Sequence, residues 1–308
     1  MAKIAFVFPG QGSQTVGMGK ALADAFPEAK AVLDAADDAL GEKLSKLCFE
    51  GPEESLKLTA NTQPAILAVS VAAHAVFTKR FPDVKPAFVA GHSLGEYSAL
   101  VAAGAMSLPD AVRSVRARGT FMQEAVPQGL GAMAAVLGLD AAKIDEICRA
   151  SAEGEVVSCA NYNEPGQTVI AGHAKAVERA SAKLKEAGAK RVLPLPVSAP
   201  FHCALMQPVV PRLDAVLSKV QFSAPGVPVV TNVEAAANSD AGRIKDLLLR
   251  QVTGSVRWVE TVQALEKEGV TRVIELGPGK VLCGLVKRIA KGIETFNVED
   301  PATLEKVP

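Results

Sequence analysis

Gly91-His92-Ser93-Leu94-Gly95 constrains the possible folds of this chain more than any other stretch. It lies between an apolar run, Ala87-Phe88-Val89-Ala90, and an alanine-rich run with the composition of a helix. A Gly-x-Ser-x-Gly in that place calls for a strand, a sharp turn and a helix in immediate succession. The flanking glycines let backbone segments approach closely, which leaves the serine exposed at the tip. The helix behind it offers free N–H groups to a developing oxyanion. Ser93 is therefore a candidate acyl nucleophile on a sheet whose strands are joined through helices.

The rest of the chain fits that frame. Residues 4–8 are almost wholly apolar, as in a buried parallel strand, and run into the glycine-rich loop Pro9-Gly10-Gln11-Gly12-Ser13-Gln14. Helices are expected at 18–26, 27–40, 64–77, 96–105 and 110–124. The pattern then changes. Strands at 131–137, 156–160, 168–171 and 191–195 alternate with helices at 140–150, where Asp140 is a candidate N-cap, and 173–187. This β-α-β-β-α-β order is the ferredoxin-like split unit. It predicts a small inserted domain at 128–196 within a large α/β domain formed by 1–127 and 197–308. The resumed part reads as a helix at 206–220, a strand at 227–232, helices at 243–250 and 256–268, a strand at 271–276 and a helix at 281–289. The last eight residues read as a loose tail. The expected fold class is α/β: a hydrolase-like, mostly parallel sheet with helices on both faces, plus the ferredoxin-like insert.

Composition excludes several functions. Lys+Arg 33 and Asp+Glu 33 cancel, so no global charge draws nucleic acid or an anionic membrane. The five cysteines are odd in number and far apart, with no C-x-x-C or His/Cys ligand spacing, which points to reduced thiols and no metal site. No apolar run approaches the roughly 18 residues of a membrane span. A strand starting at residue 4 leaves no room for a signal or transit peptide, so the expected location is the cytoplasm.

A serine hydroxyl needs a base, and there are four histidines. His74 lies in an apolar helical run and reads as a core or edge residue. His173 starts a helix after Gly172 and reads as surface. His92 adjoins the elbow and reads as packing, pointing away from the serine. His202 remains, in a loop stiffened by Pro200 just after the return from the insert. An α/β-hydrolase triad would place an acid between Ser93 and His202, but the acids there fall mostly on polar helix faces, and no HGGG-type loop appears. Both absences weaken an esterase reading. A backbone carbonyl can serve the second imidazole nitrogen instead.

Arg118 is the third candidate. On a wheel of about 100° per residue it falls at the border of the face formed by Leu108, Ala111, Val112, Val115, Gly119 and Met122. A guanidinium at a core boundary calls for a carboxylate, whether from an internal salt bridge or elsewhere, unless it snorkels to the rim. The Gly10–Thr15 loop lacks the third glycine of a dinucleotide fingerprint and the Lys-Ser/Thr of a P-loop. It is a plain turn, or a loop at the ligand-binding sheet edge that offers the Gln11 N–H to an oxyanion.

Together these residues resemble the malonyl-CoA:acyl carrier protein transacylase family. The resemblance rests on Phe8-Pro9-Gly10-Gln11-Gly12-Ser13-Gln14, on Gly91-His92-Ser93-Leu94-Gly95-Glu96, on Arg118-Gly119 with Met122-Gln123, and on Ala199-Pro200-Phe201-His202. Asn161-Tyr162-Asn163 with Pro165-Gly166-Gln167, and Glu275-Leu276-Gly277-Pro278-Gly279, add weaker matches. It implies Ser93 as nucleophile, His202 as general base and acid, and the N–H groups of Gln11 and Leu94 as oxyanion hole. It also implies Arg118 as the clamp for the malonyl carboxylate and the Gln251 carbonyl as the group that orients the histidine. The implied reaction is ping-pong, from coenzyme A to the phosphopantetheine thiol of an acidic acyl carrier protein, with no permanently bound cofactor and no metal. The carrier would dock on a local basic patch, either Lys185, Lys190 and Arg191 or Lys287, Arg288 and Lys291, and the enzyme would act as a monomer. Phe201, bulky and beside the base, predicts malonyl over methylmalonyl, although apolar pockets discriminate a methyl by only ~1–3 kcal/mol. The alternatives are a serine esterase or thioesterase, a malonyltransferase serving polyketide synthesis, and a non-catalytic scaffold.

Overall fold

The computed structural model describes residues 2–197 and 199–307. The chain enters through β1 (Ile4–Phe8) and β2 (Phe88–Gly91). It leaves for β3 (Gly131–Leu137), β4 (Val157–Glu164), β5 (Gln167–His173) and β6 (Arg191–Pro194). It returns through β7 (Val229–Val230), β8 (Ala237–Asn238), β9 (Arg272–Leu276) and β10 (Glu294–Val298). The first and last groups form one six-stranded sheet, in the order β10-β9-β1-β2-β7-β8, parallel except for the β7–β8 pair. This is a mixed α/β fold around a mostly parallel sheet.

β1 lies between β2 and β9 and is buried on both faces, which is why its sequence does not alternate. Phe6 and Phe8 face one core with the helices Thr59–Arg80 and Leu108–Glu124, whereas Ala5 and Val7 face another with Trp258, Val262 and Val286. The register sets Phe8 beside Gly91, so the loops after β1 and β2 leave the sheet at one carboxyl edge.

The helix Thr59–Arg80 starts five residues before the expected boundary, with Pro64 inside it. Proline removes the N–H that would bond the Ala60 carbonyl. Arg116 supplies the donor instead, its NH1 lying 2.7 Å from that oxygen. Gly119 permits the close crossing of the two long helices, because a Cβ there would stand 2.6 Å from the Thr59 carbonyl oxygen. Arg118, the residue before Gly119, is buried on the same helix.

Between the two visits to the large sheet, β3 to β6 form a second sheet of four strands, order β4-β5-β3-β6, with antiparallel pairs. The helices Ala141–Ser151, capped by Asp140, and Ala174–Glu186 cover it, and Val136, Ile144, Ile170 and Leu184 form its own core. Val256 exchanges backbone hydrogen bonds with Ala160 and Tyr162 and joins β4 to the main body.

Two further expectations about the fold need correction. The helix foreseen at 206–220 is a short turn, Ala204–Met206, followed by Val209–Leu217, because Pro208 interrupts it. Within the expected loose tail, Pro301–Leu304 is a helix capped by Asp300 and Thr303, and Leu304 and Val307 are buried, while Pro308 lies outside the described residues. Among the described residues no helix is long and apolar enough to cross a membrane.

Candidate active site

Ser93 sits at the turn after β2 with φ 53°, in the left-handed region that L-residues occupy at a cost of about 1–2 kcal/mol. The glycines around it are required by contact. A Cβ at Gly91 would stand 1.9 Å from the Gly95 carbonyl oxygen, and one at Gly95 would stand 2.2 Å from that of Phe8. Asn232, just beyond β7, holds the strained turn. Its Oδ1 accepts from Ser93 N at 2.7 Å, and its Nδ2 donates to the Gly91 carbonyl at 2.6 Å.

His202 Nε2 lies 2.7 Å from Ser93 Oγ. Its Nδ1 faces the carbonyls of Gln251 at 2.9 Å and Gly254 at 3.1 Å. Carbonyls only accept, so Nδ1 carries the hydrogen and the Nε2 lone pair meets the serine hydroxyl. No carboxylate is needed to fix this tautomer. Burial, and secondarily the Arg118 charge, push the imidazole down to about 3, so it is neutral at physiological pH. His202 itself adopts φ 57°. Ser198, four positions before His202 in the sequence, lies outside the described residues.

Arg118 is 1% exposed. Its guanidinium donates to Gln63 Oε1 at 2.8 Å, Gln251 Oε1 at 2.9 Å and Ser93 Oγ at 3.1 Å, and lies 5.8 Å from the Tyr97 ring centre. Burial lowers its pKa from the ordinary value. Among the described residues no carboxylate pairs with it directly, so neither an internal salt bridge nor a snorkelling rim position describes it.

Gln11, Leu94, Phe201, Ser93, His202 and Arg118 line one pocket of about 110 Å³, with Met122, Met133, Leu195 and Val197 supplying apolar wall. Among the described residues no acceptor takes the backbone N–H of Gln11 or Leu94. All seven sequence-derived site residues thus gather here, Gln251 through its carbonyl. The other histidines make packing and hydrogen-bond contacts away from Ser93 Oγ. His74 packs edge-on against Phe6 and Phe8, and His173 Nδ1 accepts from Val156 N. His92 packs against Trp258 and bonds Asn163 Oδ1 at 2.9 Å, yet it also reaches the pocket wall and does not point clear of it.

Gln63, Asn232 and the Gln251 side chain were not anticipated from sequence. The signals available were a glutamine in front of Pro64 and an asparagine closing the apolar run before residue 232. Lys185 lies exposed in the last turn of the helix Ala174–Glu186, and Lys190 and Arg191 lie exposed at the start of β6. Lys287, Arg288 and Lys291 lie exposed at the end of the helix Val281–Ile289, where Arg288 pairs with Glu164 at 2.6 Å.

A family model described as the acyl transferase domain matches residues 5–303. The malonyl CoA-acyl carrier protein transacylase of Salmonella typhimurium is 52% identical over 304 residues, covering 99% of this chain and 98% of that protein. The Bacillus subtilis transacylase of the same name is 52% identical over 306 residues, covering 99% and 96%. Among solved structures, an acyl carrier protein S-malonyltransferase from Vibrio cholerae matches with TM-score 0.97 at 50% identity over 100% of both chains. A malonyl-transacylase in complex with its type II PKS acyl-carrier protein matches with TM-score 0.96 at 49% identity, covering 99% and 98%.

Proposed function

The chain belongs to the acyl transferase domain family, among the malonyl CoA-acyl carrier protein transacylases, and on that footing we propose that its Ser93 carries malonyl from coenzyme A to the thiol of an acyl carrier protein, supplying fatty acid synthesis. One observation carries the mechanism: Ser93 Oγ lies within hydrogen-bond reach of both a neutral imidazole and a guanidinium that no carboxylate contacts among the described residues.

The malonyl carboxylate pairs with Arg118 and takes the place of the Ser93 contact. A malonyl ester is short, so its carboxylate lies only three bonds beyond the ester oxygen and falls within the guanidinium's reach. The thioester oxygen then turns toward the N–H groups of Gln11 and Leu94. Ser93 Oγ attacks the carbonyl carbon as its proton passes to His202 Nε2, and the Gln251 and Gly254 carbonyls steady the imidazolium. The tetrahedral intermediate collapses, the C–S bond breaks, and the departing CoA sulfur takes the proton from His202. The phosphopantetheine thiol of the carrier protein runs the same steps in reverse: His202 accepts its proton, its sulfur attacks the ester, and Ser93 is regenerated. A charged substrate also helps its own transfer. By neutralising Arg118 it relieves one of the causes that hold His202 down.

Intact-mass measurement after mixing with malonyl-CoA tests this reading. The expected result is a persistent malonyl adduct on Ser93 that discharges when carrier protein is added. Steady CoA release from unmodified protein without carrier would identify a thioesterase instead. A role in polyketide synthesis is the second reading, because a type II PKS carrier complex is among the close structural matches.

Phe201, at the pocket wall beside His202, supports a preference for malonyl over methylmalonyl. We read 128–196 as the ferredoxin-like insert and 1–127 with 197–308 as the large unit, on the strand order and separate core of the second sheet. Five free cysteines suit a reducing cytoplasmic setting, and a monomer is sufficient for the site. For the acidic carrier we favour Lys287, Arg288 and Lys291, because their helix starts at Val281, which lines the cleft with Gln11 and Asn163. Reversing these three charges is expected to cut kcat/KM for carrier protein about tenfold at low salt, while loading from malonyl-CoA is unchanged. An effect of that size from Lys185, Lys190 and Arg191 alone would move the docking site there.

A further inference from the structure

Glu96 follows the second elbow glycine in the first turn of the helix Gly95–Ala102 and is 2% exposed. Burying a carboxylate is costly without compensation, yet among the described residues no Lys or Arg reaches it directly. Its Oε2 accepts from Asn232 N at 3.0 Å and from Gln251 Nε2 at 2.8 Å. Gln251 Nε2 also lies 3.0 Å from the Ser93 carbonyl, while its Oε1 accepts from Arg118. This amide orientation is forced. Three acceptors face the nitrogen, the third being Asn232 Oδ1 at 3.5 Å, and a donor faces the oxygen, so a flip would lose these bonds. One amide therefore separates a buried acid from a buried base.

We propose that Glu96 is the relayed counter-charge of Arg118, and that its ionisation sets how strongly the site attracts the carboxylate of an incoming acyl group. The proposal rests on the reading of Arg118 as the carboxylate clamp. A carboxylate in direct contact would occupy the guanidinium fork. The relay balances the charge and leaves Arg118 Nε, which meets no acceptor among the described residues, and the donor now facing Ser93 available to the substrate.

The groups around Glu96 leave it as the one that changes charge near neutrality. The helix Leu108–Glu124 contributes Arg118, which stays charged. Glu96's own helix contributes Tyr97, whose phenol burial pushes above its ordinary range. His202 and His92, across the nucleophile, are held below theirs by burial. The helix Thr59–Arg80, the end of β7 and the helix Ala241–Thr253 bring neutral Gln63, Asn232 and Gln251 into the network. Burial raises Glu96 to about 7 against the opposing pull of Asn232, Gln251 and Arg118. Below that pH the protonated acid leaves Arg118 as an uncompensated positive charge. Above it, the two charges cancel. A substrate carboxylate favours the first state, and an uncharged acyl group is indifferent.

The test compares second-order rates of Ser93 loading from malonyl-CoA and acetyl-CoA, in wild type and Glu96→Gln, from about pH 6 to about pH 8, the range that brackets a carboxyl so raised. Glutamine keeps an acceptor oxygen for Asn232 and Gln251 but no charge. The wild-type malonyl-to-acetyl ratio is expected to fall about fivefold across that range, the scale of one charge interaction in a partly screened site. Ionisations of the CoA moiety cancel in the ratio. In Glu96→Gln the ratio should be flat, at the wild-type low-pH value. A flat wild-type ratio, or a slope that persists in the variant, overturns the proposal. A flat wild-type ratio overturns the proposal whether or not Glu96→Gln folds. Glu96→Asp, which keeps a titrating carboxyl at a different reach, should shift the midpoint of the slope, whereas an unmoved midpoint overturns its assignment to Glu96. Failure of malonyl to load Ser93 at any pH would overturn the reading of the site itself, which a pH-independent ratio would not.

Discussion

Ser93→Ala is expected to abolish malonyl loading and leave the fold intact. The hydroxyl is the atom proposed to accept the acyl group, so the covalent route disappears with it. What survives is binding together with the N–H groups of Gln11 and Leu94, and losing a nucleophile of this kind typically costs about 10⁴- to 10⁶-fold. The structural cost is small for identifiable reasons. Ser93 Oγ contacts His202 and Arg118, and each keeps other partners: the Gln251 and Gly254 carbonyls for the imidazole, Gln63 and Gln251 for the guanidinium. The bonds that hold the left-handed turn run through the Ser93 backbone to Asn232 and Gln251, and alanine retains them. The melting temperature should therefore move by no more than about 2 °C, the range of a substitution that leaves packing and pairing in place. Intact-mass and thermal-melt measurements on one preparation check both halves. Continued accumulation of a malonyl adduct would assign the acyl group to another residue.

The elbow was legible in the sequence because its geometry is local. Two glycines four residues apart, between an apolar run and a helix former, leave the backbone few alternatives. Arg118 was half legible. The helical wheel placed it at a core border, but its partners Gln63 and Gln251 lie 55 and 133 residues away, beyond any periodicity. The acceptors of His202 could not be read from residue types, because a backbone carbonyl leaves no signature, and Gln251 entered only through family resemblance. Asn232 was closer to view: a polar residue closing an apolar strand stands at the sheet edge where ligand-binding groups gather. The helix Thr59–Arg80 was cut short by Pro64, whose orphaned carbonyl is satisfied by Arg116 from another helix. The C-terminal turn was missed although Asp300 and Thr303, three residues apart, form its cap. β10 escaped notice because, as an edge strand, it stays largely half-exposed and reads as mixed sequence.

Arg118→Ala should separate the carboxylate clamp from a merely structural arginine. Malonyl loading is expected to lose about 10²- to 10³-fold in kcat/KM, the scale of removing one partner from a buried, hydrogen-bonded ion pair. Acetyl loading should be nearly preserved or rise, for two reasons. In the wild type an acetyl group displaces water from the buried guanidinium without offering it an acceptor, a penalty that disappears with the side chain. The positive charge that helps hold His202 down disappears as well, which makes the imidazole a stronger base. The variant will also lose stability, because Gln63 Oε1 and Gln251 Oε1 lose their donor and a space opens beside Tyr97. Rates must therefore be compared on protein shown by melting to be folded at the assay temperature. Arg118→Lys is not expected to restore malonyl loading. An ammonium is a point charge and cannot bond Gln63 and Gln251 while presenting a fork to the substrate. The deciding quantity is the ratio of malonyl to acetyl loading. A fall in that ratio identifies the clamp, whereas equal losses for both acyl groups would assign Arg118 to holding Gln251 and the elbow in place.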